Sequence, residues 1–283
     1  MKEAVNINGE ITAASDARIS VFDRGFLFGD SIYETLRTYE KKPFLIDRHL
    51  HRLENSASML FLSLPMTLEE IADQVDRTVN ATDNQECYIR IIVSRGSGKI
   101  GLDIHAAKSP TLVILVVPLE TPSADAYEKG VKLSLVRIRR NDVTALNPKI
   151  KSSNLLNNVL AYAEAKEHGA FEGILCNMSG NIAEGTGSNV FIVCDGILKT
   201  PPPQAGLLEG VTRALTLELA RAEHVAVQET NFTPTEMLEA QECFITSTTK
   251  EILPVRQIDE KTLLPGPVTK RLIKAYRRFV ADQ

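Results

Sequence analysis

Two runs of β-favouring residues, CYIRIIVSR (87–95) and PTLVILVVP (110–118), follow stretches of helical periodicity, and a chain that mixes the two patterns has to lay helices on sheets. The same mixture runs along the whole sequence. EAVNINGEITAA alternates like a hairpin turning at Asn8 and Gly9, and IYETLRTYEKKPFLI repeats the pattern with a turn near Lys41 to Pro43. Leu50, Leu53, Ala57 and Leu60 then fall at helical spacing, with Asp47 expected as the N-cap. Thr67 and Glu70 form a capping-box pattern ahead of LEEIADQVDRTV. Beyond the two runs, PLETPSADAYEKG turns to Pro, Ser and Ala, as a domain boundary would. VKLSLVRIRR, GILCNMSG, NVFIVCDGILKT and ECFITSTT read as strands, while TRALTLELARA and a short segment starting at Thr233-Pro234 read as helices. Leu155, Leu156, Val159, Leu160 and Ala163 form one face of a further helix closed by Gly169. The expectation is a mixed α/β (α+β) fold in two domains, residues 1–117 and 131–283, joined by a linker at 118–130.

Composition narrows the function. With 283 residues, 43% of them hydrophobic, the chain can bury a large core. No apolar run approaches the ~18 residues of a membrane span, and MKEAVNINGEI lacks an apolar signal core, so a soluble cytoplasmic protein is expected. Thirty-two Lys and Arg against 36 Asp and Glu leave a net charge of −4, too balanced for a nucleic-acid surface and better suited to a small-molecule partner. Cys87, Cys176, Cys194 and Cys243 are scattered through apolar runs, as reduced core cysteines are. His49 and His51 stand too close to share a helix face, and no metal site is expected.

Chemistry enters at NPKIKSSNLLNN. Alternation would put Lys149 and Lys151 on one strand face, with Lys151 directly ahead of Ser152, Ser153 and Asn154, residue types that cap helices. A lysine at a strand-to-helix junction becomes a nucleophile once its neutral amine is favoured, and can then condense with an aldehyde. Three other stretches add to it. Glu184 precedes a Gly-rich turn in NIAEGTGSNVF; Gly210 precedes a helix whose Val211 and Thr212 amides could cradle a phosphate; and FITSTT ends in the hydroxyls of Ser247, Thr248 and Thr249. An amine, a carboxylate and an anion cradle are what pyridoxal 5′-phosphate (PLP) requires.

Taken together, DRGFLFGDSIYETLR, HLHRLENSA, KSSNLLNNVLA, AEGTGSNVF, LLEGVTR and TSTTKEILPV resemble the fold-type IV aminotransferases in order and spacing, over nearly the whole chain. That group holds branched-chain aminotransferases, D-amino acid aminotransferases and aminodeoxychorismate lyase. The resemblance implies a two-domain PLP enzyme in which Lys151 is the Schiff-base lysine and proton shuttle, and Lys149 a bystander. It assigns Glu184 to the pyridine nitrogen. Arg52, the Val211 and Thr212 amides, Ser247 and Thr248 would hold the phosphate, with Leu208 and Gly210 beside the cofactor. Tyr33, Tyr88, Arg90 and Thr249 would contact the substrate. A homodimer is implied, with the site lying between the domains and completed by a loop of the partner subunit.

Within the family the signals divide. Tyr88-x-Arg90 and the Gly-Leu-Asp run at 101–103 resemble the branched-chain enzymes, and the Arg-x-His trap of D-amino acid enzymes is missing between Lys99 and Asp103. Leu155, near where branched-chain enzymes keep a tyrosine, and Ser-Thr-Thr at 247–249 depart from that pattern. Glu34 argues against lyases that carry threonine there. The expected reaction is transfer of an amino group between a branched-chain L-amino acid and a 2-oxo acid such as 2-oxoglutarate. D-amino acid transamination, pyruvate-releasing lyase chemistry and a silent phosphate-binding protein stand as alternatives.

Overall fold

A computed structural model describes all 283 residues. The chain forms two compact units: Met1–Glu120 with Ile150–Asn154, and Thr121–Lys149 with Leu155–Gln283.

The first unit is built on a six-stranded antiparallel sheet. Its strands are β1 (Ala4–Ile7), β2 (Glu10–Ala13), β3 (Ser31–Tyr39), β4 (Lys42–Pro43), β5 (Cys87–Ser94) and β6 (Thr111–Pro118), in the order β2-β1-β6-β5-β3-β4. A short helix α1 (Arg24–Phe28) precedes β3, and α2 (Ile46–Met59) and α3 (Leu68–Asn80) lie between β4 and β5. Period-2 alternation sends Cys87, Ile89, Ile91 and Val93 of β5 into one core with Ile32 and Leu36 of β3 and Leu112, Ile114 and Val116 of β6. Leu50, Leu53 and Ala57 of α2 and Ile71, Val75 and Val79 of α3 close that core. The opposite face of the sheet therefore carries Tyr33 and Thr35 of β3 and Tyr88, Arg90 and Ile92 of β5.

Capping matches expectation for α3 and differs for α2. Thr67 and Glu70 make the reciprocal capping box. The start of α2 is Leu45, held at φ 52° with no side-chain cap, so Asp47 sits inside the first turn, where its charge favours the helix dipole without capping it.

The second unit holds a nine-stranded sheet. Its strands are β7 (Val131–Leu135), β8 (Glu172–Cys176), β9 (Ile182–Gly185), β10 (Asn189–Cys194), β11 (Ile197–Thr200), β12 (Val227–Glu229), β13 (Glu242–Ser247), β14 (Glu251–Ile258) and β15 (Lys261–Thr262). The path is β12-β11-β10-β13-β14-β7-β8-β9, with β15 on β14. The β7–β8, β7–β14 and β11–β12 pairs are parallel and the others antiparallel. Helices α4 (Ala124–Lys129), α5 (Leu156–Glu167), α6 (Val211–Ala222), α7 (Pro234–Glu239) and α8 (Pro267–Ala281) complete it. Val190, Ile192, Ile245, Leu253 and Val255 form one core with Phe232 and Met237, while Phe191 and Phe244, paired across β10 and β13, stack at 4.9 Å on the alternate face.

Three stretches add to or differ from their sequence reading. A boundary between the units, between Glu120 and Thr121, falls inside 118–130, and the segment carries structure of its own: β6 ends at Pro118 and Ser123 caps α4 by accepting from the Ala126 amide. Ser152–Asn154 do not cap α5, whose N-cap is Leu155 with no side-chain bond. Its apolar stripe faces outward, with Leu156 70%, Val159 57% and Leu160 51% exposed, because Ala161 and Ala165 are the residues packed inward.

Candidate active site

In the first unit the site is built on the open face of the sheet and on the segment Ile150–Asn154. This segment is not a strand; it touches β3 through a single bridge between Ile32 and Ser152. Backbone bonds nevertheless pin it. The Tyr33 amide donates to the Lys151 carbonyl at 2.8 Å, the Ser153 amide to the Ser31 carbonyl at 2.9 Å, and the Lys151 amide to Ser56 Oγ at 3.2 Å. Lys151 Nζ then lies 4.4 Å from the centre of the Tyr33 ring.

The same ring takes a second cation. The Arg90 guanidinium sits 3.9 Å from its centre, and Arg90 Nη1 reaches Tyr88 Oη at 3.5 Å. The register explains this, since Tyr33 faces Ile92 and Thr35 faces Arg90, leaving Tyr33 and Arg90 diagonal neighbours on one face. Burial pushes the Tyr33 phenol above its ordinary range, with Arg90 pulling the other way, so at neutral pH the ring meets the Arg90 guanidinium and the Lys151 amine as a neutral phenol. Lys149 goes elsewhere, to a half-exposed ion pair with Glu209 at 3.0 Å.

Behind the sheet lies a buried cluster whose other members sequence reasoning leaves without a role. Arg52 Nε and Nη2 each donate to Glu34 at 2.7 Å, and His49 Nδ1 contacts Glu34 Oε2 at 2.8 Å. Burial would raise the Glu34 carboxyl, but the charge and hydrogen bonds of Arg52, with the bond to His49, outweigh it and hold the group well below the usual carboxylate range. Two signals for the cluster stand in the sequence: Glu34 alternates with Ile32 and Leu36 on the core face, and His49 and Arg52 are three apart on one helix face.

In the second unit Glu184 lies within β9, not in the turn that follows it. It is buried; Oε1 accepts from Arg140 Nε at 2.6 Å and Oε2 from the Leu208 amide at 2.9 Å. In the sequence Arg140 reads only as the end of a strand, and nothing in its spacing announces the pair. The Leu208 carbonyl accepts from Asn189 Nδ2 at 2.8 Å, and Asn189 pairs with Thr246 across β10 and β13. This ties Leu208 to the strand end that carries Ser247.

Gly210 begins α6 with no side-chain cap, and the first turn holds no acid, so the amides of Val211 and Thr212 carry the positive end of the helix dipole. A Cβ at Gly210 would stand 2.2 Å from Asn189 Oδ1, so glycine lets the helix start this close without displacing the Asn189 side chain. Ser247 Oγ and Thr246 Oγ1 are buried without a hydrogen-bond partner, and Thr248 and Thr249 are half-buried in the turn beyond. A buried hydroxyl lacking a partner and an uncapped helix start suit an anionic group such as a phosphate. The second unit thus holds a buried carboxylate, an uncapped helix start and a buried hydroxyl without a partner, and the first unit a lysine amine against an aromatic ring.

Residues 31–258 match the family model for amino-transferase class IV. The chain is similar to a Methanocaldococcus jannaschii protein named "Putative branched-chain-amino-acid aminotransferase", 38% identical over 96% of this chain and 95% of that one. It is also similar to the D-alanine aminotransferase of Bacillus licheniformis, 32% identical over 99% and 98%. Among solved structures, a T.th. branched-chain amino acid aminotransferase with pyridoxamine 5′-phosphate superposes with a TM-score of 0.93 at 29% identity, covering 99% of this chain and 94% of that one.

Proposed function

Because this chain belongs to the class IV aminotransferases, we propose that it is a PLP-dependent transaminase moving an amino group between branched-chain L-amino acids and a 2-oxo acid such as 2-oxoglutarate. The observation that carries the reading is the Tyr33 ring in contact with both the Lys151 amine and the Arg90 guanidinium, an amine fixed beside a cation able to receive a carboxylate. The branched-chain preference rests on the M. jannaschii and T.th. relatives and on Tyr88 and Arg90 meeting on one face.

The residues that would hold the cofactor are Lys151 for its aldehyde, Glu184 for its ring nitrogen, and Arg52, the Val211 and Thr212 amides, Ser247 and Thr248 for its phosphate, with Leu208 and Gly210 alongside. When bound, PLP accepts the electron pair left when the substrate Cα loses its proton. Lys151 Nζ takes that proton as a base and returns it as an acid. Glu184 is oriented at both oxygens, by Arg140 and by the Leu208 amide. Tyr33, Tyr88, Arg90 and Thr249 orient the substrate, Thr249 near its carboxylate. Ping-pong kinetics follow, since one amino acid leaves as its 2-oxo acid before the second 2-oxo acid enters.

We further assign the enzyme to a cytoplasmic homodimer. Support comes from exposed Val21, Phe22 and Phe26 around α1 and the outward stripe of α5, apolar surface of the kind that marks an interface, and from four free cysteines. No helix is long and apolar enough to cross a membrane.

The purified protein should absorb in the visible range with PLP bound, and Lys151→Ala should abolish the band. A protein that binds no PLP ends the reading. Assayed with 2-oxoglutarate, L-leucine should react and D-alanine should not; reaction of D-alanine alone would leave the cofactor chemistry intact and overturn the substrate assignment.

A further inference from the structure

Glu172, the first residue of β8, is almost fully buried, yet it lies outside the set of groups assigned to the reaction. Its carboxylate is fully engaged. Oε1 accepts from the Gly187 amide and from Ser188 Oγ, both at 2.7 Å, and Oε2 accepts from Lys250 Nζ at 2.8 Å. These donors come from two different turns. Gly187 and Ser188 belong to the turn that follows Glu184, and Lys250 ends the turn that contains Thr248 and Thr249.

Both turns are fitted to this arrangement. The Gly185 amide donates to the Ser188 carbonyl at 2.8 Å, and a Cβ at Gly185 would stand 2.3 Å from Ser188 Oγ and 2.6 Å from Glu172 Oε1, so glycine is required for the carboxylate to enter. The Lys250 amide donates to the Ser247 carbonyl at 3.2 Å, and its carbonyl accepts from Tyr127 Oη at 3.2 Å. Lys250 is therefore anchored at its amide, its carbonyl and its ammonium group. Serine and threonine hydroxyls in a turn are only as well aimed as the backbone that carries them, and β13 and β14 by themselves hold only the two ends of this one.

We propose that Glu172 and Lys250 are positioning residues: their ion pair joins the turn after Glu184 to the Thr248–Thr249 turn, fixing the spacing between the carboxylate and hydroxyl groups of the second unit. The proposal rests on the assignment of Ser247, Thr248 and Thr249 to cofactor and substrate. A lysine is suited to the task because its ammonium carries three donors on a long stem and can meet a buried carboxylate while its backbone stays in the turn.

The test uses the full chain with PLP and two variants: Lys250→Met, and the neutral pair Glu172→Gln/Lys250→Met, which removes both charges at similar volume. Amide hydrogen exchange reads the turns directly. The amides of Thr248–Lys250 and of Gly187–Ser188 should exchange about tenfold faster or more in both variants, while Phe244 and Ile245 of β13 stay protected. The dissociation constant for PLP and the KM for the 2-oxo acid should each rise by about tenfold, with kcat changing less. If Lys250→Met does not fold, the neutral pair decides alone. Unchanged exchange in the two turns of a folded variant overturns the proposal, as does a neutral pair that recovers native exchange and native PLP affinity together. A wild-type protein that binds no PLP would defeat the cofactor reading, while the exchange measurement would still decide whether the pair joins the turns.

Discussion

Glu34 is the residue on which the first unit's buried charge turns. It has no exposed surface and its carboxylate meets Arg52 on both oxygens, so removal of the guanidinium leaves an uncompensated charge. Arg52→Ala should cost about 3–5 kcal/mol of stability, read from urea unfolding at pH 7. Arg52→Lys should recover only part of that loss, because an ammonium cannot reproduce the two-pronged contact. The pH dependence has a definite sign. His49 is kept neutral by burial, which lowers it from its ordinary 6.5, while the unfolded chain takes up a proton there; stability thus falls as pH drops below 6.5. Glu34 is held below its ordinary 4.5, so its contribution is complete above that pH and is lost as pH falls through the folded value. The unfolding midpoint should decline in two stages on acidification, with His49→Gln flattening the upper stage and Glu34→Gln the lower. A midpoint flat from pH 7 to pH 5 would contradict the buried assignment of His49, and one flat below pH 4.5 that of Glu34.

At the scale of elements, α6 offers the cleanest prediction. Gly210 has an ordinary φ of −67°, so what a side chain would disturb is Asn189 rather than the backbone. Gly210→Ala should break the Asn189 bond to the Leu208 carbonyl and cost about 1–3 kcal/mol, with a larger relative loss of PLP affinity measured by titration. Elements whose local chemistry agrees with their packing are legible in the sequence: the Asn8-Gly9 hairpin, the capping box of α3, the alternation of β5, and α7 behind Thr233 and Pro234. The errors fall where tertiary structure overrules local preference. Asp47 is an ordinary N-cap residue, but Leu45 turns the chain into α2 before it. The stripe on α5 is helical as its spacing says, but periodicity does not tell whether an apolar face meets this chain or another surface. Residues 150–154 alternate like a strand, yet their neighbours in space are set by β3. Lys151, Glu184 and the hydroxyl turn stand out through motifs; Arg140, Glu172 and Lys250 carry no motif and emerge only when the strands that hold them are brought together.

For the whole molecule, exposed apolar residues at Val21, Phe22, Phe26 and along α5 predict self-association. Light scattering should give about twice the 31.2 kDa of one chain, and Phe22→Ser/Phe26→Ser should shift the mass toward one chain. A monomer at all concentrations would remove the homodimer from the account.

The return of Ile150–Asn154 to the first unit also orders events in time. During synthesis the six-stranded sheet is complete once residue 118 has left the ribosome, but the acceptor for the Tyr33 amide, the Lys151 carbonyl, emerges more than thirty residues later. Lys151 is thus a late arrival on a sheet whose strands have all been synthesised. In a polypeptide stopped at residue 120 the Tyr33 amide has no acceptor and its ring no amine beside it, and a synthetic peptide spanning 147–158 carries both missing groups.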